Sequence, residues 1–295
     1  MLRNWKSSPK IALTALVGIT IVWGWSFLIV QNAIAKMPVM DFLAVRFTVA
    51  TLFMIALRPT FFRHLNRRGW LHGIILGFAL GLAYVLQTYG LQTVSASISG
   101  FLTGMAVVLT PLVSLLLLRT KISRSTWLAV GLAVIGLALL SLHGWAIGTG
   151  ELLTLGCALV LAFHIIGLGA WSSQHEAYSL ALVQVGTVAV MTLIAGAPGG
   201  ITMPPDISVW GTVGITAVLA TALAFIVQTW AQKLVSPTNV AVVLTMEPVF
   251  AGVFGVTLGG NQLSVRIVFG FLCVLAAMLI VQLKSAKPAP HLDSH

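Results

Sequence analysis

Three ionisable residues stand inside long apolar runs of this sequence: Glu247 in VVLTMEPVFAGV, Arg46 in FLAVRFTVA and His164 in CALVLAFHIIG. An ionised side chain in hydrocarbon costs several kcal/mol, roughly 2.5–3.5 on insertion scales, so such residues face a cavity or a partner. Glu247 directly precedes Pro248. It can bind a substrate ammonium or hold a proton; equally, its carboxyl can serve backbone freed by the proline or pair with Arg46. Arg46 suits an inward structural or gating role, contact with a substrate carboxylate, or snorkelling to the headgroups. A lone intramembrane histidine such as His164 is either a hydrogen-bonded packing residue or a substrate and proton contact.

Two amides, Gln87 and Gln228, lie equally deep, each three residues after an aromatic on the same helical face, Tyr84 and Phe225. Apolar walls with a few placed polar groups make a site for an apolar small molecule. Trp25, Ser26 and Thr103 complete the set expected to touch substrate. Ser95, Ser99, Thr103, Thr110 and Ser114 fall on one face of a helix, as pathway lining or as packing glue. Cys157 and Cys273 are each isolated in apolar segments, which suggests neither a disulfide nor a metal site. No HExxH, GxSxG or paired-aspartate pattern speaks for an intramembrane enzyme, and no acidic ring or filter-like loop for a channel. No metal and no cofactor is expected.

The elements that must position these residues are transmembrane helices. Charged residues are 7% of the 295, hydrophobic residues 58%, and mean hydropathy is +1.03. No water-facing surface can be built from that, whereas a bilayer solvates an apolar exterior. The net charge of +10 comes from short clusters between apolar runs and forms no nucleic-acid face, so the expected partners are a small-molecule substrate and the lipid bilayer. At about 20 apolar residues per span, ten spans emerge, near 11–35, 40–57, 70–91, 97–118, 126–142, 150–169, 178–196, 207–230, 239–258 and 264–283. The first follows a basic N-terminus as a secretory signal would, and Ala33-Ile34-Ala35 imitates a cleavage site. The apolar run from Ile11 to Val30 is about twice the usual signal length, so it reads as a spanning helix.

Basic residues orient the spans. Arg3, Lys6, Lys10, Arg58, Arg63, Arg67, Arg68, Arg119, Lys121, Arg124, Lys233, Lys284 and Lys287 fall on one side, Lys36 and Arg266 on the other. Both termini are therefore expected in the cytoplasm.

The chain also repeats itself. At an offset of 141, Gln87-Thr88-Tyr89 meets Gln228-Thr229-Trp230, Val94-Ser95 meets Val235-Ser236, and Ser123 meets Ser264. At an offset of 138, Trp25-Ser26 meets Phe163-His164, and Arg46 meets Gln184. The expected organisation is a first repeat over 1–142, a linker at 143–149, a second repeat over 150–284 and a cytoplasmic tail at 285–295. Five helices per copy is an odd number, so the second copy must be inverted in the membrane, an architecture of secondary transporters. Pro111 and Pro248 interrupt the fourth helix of each copy, a sequence pointer to a substrate site or hinge.

These residues resemble the drug/metabolite transporter superfamily, in its ten-helix branch with two EamA domains. The resemblance is carried by Val22-Trp23-Gly24-Trp25-Ser26-Phe27, Ala44-Val45-Arg46-Phe47, Gly100-Phe101-Leu102-Thr103-Gly104, Leu109-Thr110-Pro111-Leu112 and Glu247-Pro248-Val249-Phe250. It departs where the family often has Gly-Glu before a serine, since this chain has Arg119-Thr120 and Gly260-Asn261. The resemblance implies an all-α membrane protein of the bacterial inner membrane that moves small metabolites, often outward. Amino-acid exporters, including those for aromatic and other apolar amino acids, look most similar. A drug or lipid-like carrier is the alternative, and protons are the candidate coupling ion.

Overall fold

A computed structural model describes residues 8–118, 124–143, 146–234 and 243–285. Arg119-Thr120, Val235-Ser236 and the tail from 286 onward lie outside the described residues. The helices are α1 (Pro9–Ile34), α2 (Val39–Leu57), α3 (Arg67–Gly90), α4 (Ala96–Gly104), α5 (Ala106–Leu118), α6 (Arg124–Ser141), α7 (Thr149–Trp171), α8 (Ala177–Gly196), α9 (Ile207–Ala217), α10 (Ala224–Leu234), α11 (Met246–Thr257) and α12 (Val265–Ser285). α4 and α5 make one span broken at Met105. α9 and α10 make another, joined by a π-helical segment, Val218–Leu223. Among the described residues ten spans result, seven of them long and apolar enough to cross a membrane by themselves and three shorter. The protein is a multi-pass membrane protein. An antiparallel pair of two-residue strands, Leu142–His143 with Ala146–Ile147, joins the halves.

Helices are forced here because hydrocarbon offers no partner to a backbone amide. The same pressure disposes of hydroxyls. Thr51, Thr88, Thr110, Thr154, Thr187 and Thr229 each donate to the carbonyl four residues back, so they add no polarity to the helix surface. Asn66, Glu176 and Asp206 begin α3, α8 and α9 by accepting backbone N–H groups of the first turn.

The packing has a two-fold pattern that exchanges the first span for the sixth, the second for the seventh, and so on. α1 meets the α9–α10 span, and α7 meets α3. α2 meets the same span at its π segment, and α8 meets α3. α1 meets α11, and α7 meets α4 and α5. Three pairs cross the axis and are their own mates: α2 with α8, the α4–α5 span with α11, and α6 with α12. Each runs antiparallel, as Asp41 beside Gly196 and Met54 beside Tyr178 illustrate for α2 and α8. A two-fold that reverses helix direction lies in the plane of the membrane, so the repeats are inverted.

Close approach at these crossings depends on glycine. A Cβ on Gly77 of α3 would sit 2.7 Å from the Gln184 carbonyl oxygen of α8, and one on Gly100 of α4 would overlap Ala251 of α11. The α6–α12 pair turns its large apolar side chains, such as Trp127, Ile135, Phe269 and Leu272, outward.

Candidate functional site

Between the repeats lies a cavity of about 120 Å³. Among the described residues, its walls come from the first, third and fourth spans of each copy and not from the second or the fifth. The lining residues are largely repeat mates. At the offset of 138, Trp23 pairs with Leu161 and Ser26 with His164; at 141, Tyr84 pairs with Phe225, Gln87 with Gln228, Ala106 with Glu247, and Val107 with Pro248. The cavity therefore sits on the two-fold axis, where Tyr84 and Phe225 meet with ring centroids 6.4 Å apart. Its chemistry is not symmetric. The second copy supplies Glu247 and His164 where the first has Ala106 and Ser26.

Of the residues singled out in the sequence, Ser26, Tyr84, Gln87, Thr103, His164, Phe225, Gln228 and Glu247 line this space, together with Pro248, which was singled out as a gating residue. Trp25 does not, and Trp23 takes its place. Helical geometry explains the exchange: Trp23 is three residues before Ser26 and shares its face, whereas Trp25 lies about 100° away. The expected stripe of hydroxyls from Ser95 to Ser114 is also not one continuous face, because the span breaks at Met105. Ser95 caps α4, Thr103 lines the cavity, and Thr110 bonds its own helix. Pro111 lies in α5, outside the lining.

The polar side chains of the cavity differ in whether they find a partner. Gln87 Nε2 donates to Thr103 Oγ1 at 3.1 Å. Gln184 of α8 donates through Nε2 to the Leu180 carbonyl, which turns its Oε1 toward His164 Nε2, 2.8 Å away. That arrangement places the His164 proton on Nε2. Gln228 is 5% exposed and its Oε1 has no hydrogen-bond partner among the described residues. Among the described residues, Glu247 makes no hydrogen bond or ion pair.

Arg46 is behind the wall. It is 2% exposed, its guanidinium lies 4.9 Å from the Tyr84 ring centroid, and its Nε donates to Thr221 Oγ1 at 3.1 Å. It does not pair with Glu247. Thr221 belongs to the π segment, and Trp23 Nε1 donates at 2.8 Å to the carbonyl of Ala220 in the same segment. The π turn thus anchors one lining residue directly and a second, Tyr84, through Arg46. Neither Thr221, Ala220 nor Gln184 was flagged by the sequence, although Gln184 is the repeat mate of Arg46.

Farther from the cavity, Gln31 Nε2 donates to the Leu91 and Val94 carbonyls, and Asn261 Nδ2 donates to Ser97 Oγ, which ties the loop after α11 to α4. Asn261 stands at the position where the acidic residue of the family resemblance was missing. On the face carrying Arg58 and Arg63, Arg58 pairs with Glu176 at 3.1 Å. Burial pushes the Glu176 carboxyl up, but hydrogen bonds from the Ser179 hydroxyl and the Ser179 and Tyr178 amides, with Arg58 beside it, outweigh burial and hold it below the usual carboxylate range.

An inverted pair of five-helix repeats around an axial cavity defines a membrane transporter. The EamA-like transporter family model matches residues 10–142 and 148–283, and the chain belongs to that family. It is 30% identical over 272 residues to an uncharacterized transporter of Archaeoglobus fulgidus, an alignment covering 90% of this chain and 84% of the relative. A solved crystal structure superposes with a TM-score of 0.65 over 95% of this chain and 98% of the other, at 17% identity, a likeness of fold alone.

Proposed function

We propose that the protein is a secondary transporter that exports small amine-bearing metabolites with an apolar or aromatic body, the class that includes aromatic and other apolar amino acids. The single observation that carries this reading is the axial cavity, in which aromatic rings surround the Glu247 carboxyl, which makes no hydrogen bond or ion pair among the described residues, and Gln228 Oε1, which is buried without one. A buried polar atom left without a partner, as Gln228 Oε1 is, loses about 1–3 kcal/mol, and a bound ammonium returns that energy. Trp23 and Phe225, at 6.0 Å between centroids, offer a surface for the body of the substrate.

Transport proceeds by alternating access, with the cavity exposed in turn to either side as one repeat rocks against the other. The protein resides in a bacterial inner membrane with both termini in the cytoplasm, as the distribution of basic loops supports. Glu247 is the group able to exchange a proton for a substrate amine, which makes protons the coupling ion.

The test is uptake by purified protein in liposomes, using a panel of labelled amino acids and lipophilic amines with and without an imposed pH gradient. Uptake of aromatic substrates that a pH gradient drives in wild type, and that Glu247→Gln abolishes, is the expected result. Normal gradient-driven uptake by Glu247→Gln would overturn the role given to the carboxylate. Transport of bulky lipids or drugs alone would favour a carrier of that class.

A further inference from the structure

The cavity holds groups for one end of an amino acid only. Among the described residues, its lining contains one carboxyl group, Glu247, and no lysine or arginine. The nearby guanidinium, Arg46, is occupied on the far side of Tyr84 by the ring and by Thr221. The lining also offers acceptors. Gln228 Oε1 is buried without a donor. His164, with its proton on Nε2 toward Gln184, keeps a lone pair on Nδ1 in the neutral ring. The prolines add to this set: Pro111 and Pro248 have no N–H to give to the residues four positions before them, Val107 and Leu244, both of which line the cavity.

The helix end nearest the site gives an anion little help. α11 starts at Met246, so its first turn already contains the Glu247 carboxylate, and Pro248 removes one of its free amides. The asymmetry between the repeats sharpens the point. Glu247 and His164 come from the second copy, and their mates in the first copy are Ala106 and Ser26, so no complementary basic group faces them across the axis.

We infer that the site recognises a protonated amine on an apolar or aromatic body and has no place for a carboxylate, so that amines and amino-acid amides or esters are preferred to the free amino acids. This rests on the transport reading above and narrows its substrate class. A substrate carboxylate would be desolvated with no lysine or arginine in the described lining to pair with it, which opposes binding. The three N–H bonds of an alkylammonium match the acceptor-rich wall, and its ring or chain lies among Trp23, Tyr84 and Phe225.

Four probes that share a phenyl group separate the alternatives: phenethylamine, phenylalaninamide, phenylalanine and 3-phenylpropionate. Their transport is measured with wild-type protein in liposomes, with protein-free liposomes as the control for passive leak, and their binding by competition in detergent. Phenethylamine and phenylalaninamide should be bound and carried at least about tenfold better than phenylalanine, and 3-phenylpropionate should not be carried at all. Phenylalanine handled as well as or better than the amine would overturn this inference and leave the transport reading standing. Failure to bind or carry any of the four would sink both. Because the comparison is between ligands on the unaltered protein, it does not depend on a variant folding.

Discussion

Gln228 and Gln184 are both deeply buried amides, yet one has an unpartnered oxygen and the other closes a chain from Leu180 to His164. Opposite outcomes follow from their removal. Gln184→Leu deletes the partner of a buried imidazole and should lower stability by about 1–3 kcal/mol, whereas Gln228→Leu relieves an unsatisfied oxygen and should leave the unfolding midpoint unchanged or raised while transport falls. Thermal unfolding in detergent alongside liposome uptake reads both; a destabilised Gln228→Leu would make that amide a packing residue. At Glu176 the shift in acidity gives a dependence on pH. Its folded-state acidity constant lies below the ordinary value, so the carboxylate stabilises the fold above the ordinary carboxylate range, and that contribution fades as pH falls through its folded value. The difference in unfolding midpoint between wild type and Glu176→Gln should therefore shrink from pH 7 toward pH 4. Of the cavity residues, those at helical spacing from a repeat-matched amide were legible in the sequence, as Tyr84 and Phe225 were. Trp23 was obscured because two tryptophans flank Gly24, and only the angular position of Ser26 distinguishes them.

Spans themselves could be read from apolar length, since hydrocarbon leaves the backbone one solution. Interruptions could not. The π segment at Val218–Leu223 has no glycine or proline to announce it, and its cause is tertiary: the Ala220 carbonyl goes to Trp23, and Thr221 to Arg46. The break at Met105 likewise precedes Pro111 by more than one turn, so the proline marks the span but not the place where it bends. Glycines in helix interiors are equally ambiguous without neighbours. Gly77 is pressed against the α8 backbone, whereas a Cβ at Gly131 of α6 would meet nothing within 4 Å. Gly77→Leu should prevent α3 and α8 from docking and abolish recovery of folded protein, while Gly131→Ala should be neutral or stabilising by up to about 1 kcal/mol. Yield and unfolding midpoint of the two variants check the contrast, and normal recovery of Gly77→Leu would mean that α3 and α8 can separate without penalty.

At the scale of the molecule, two-fold symmetry places the cavity on the axis, and the breaks at Met105 and Thr245 fall at nearly matching positions of the two copies, beside that cavity. The rocking motion proposed above would need joints where regular helical hydrogen bonding is interrupted, and these two breaks are candidates beside the cavity. The two prolines are not equivalent in this respect. Pro248 lines the cavity three residues after its break, and Gly104 of the opposing span approaches it so closely that a Cβ there would be 3.0 Å from the ring. Pro111 stands farther from its break, inside α5 and away from the cavity. Replacing Pro248 with alanine returns an N–H to the Leu244 carbonyl and stiffens the joint, so transport should slow severalfold with substrate affinity little changed; Pro111→Ala should have the smaller effect. Single cysteines at Thr103 or Gln228, in a background lacking Cys157 and Cys273, report the motion through their labelling from each side of the membrane. In Pro248→Ala one side should become poorly accessible. Equal labelling from both sides together with normal turnover would place the joints elsewhere in the chain.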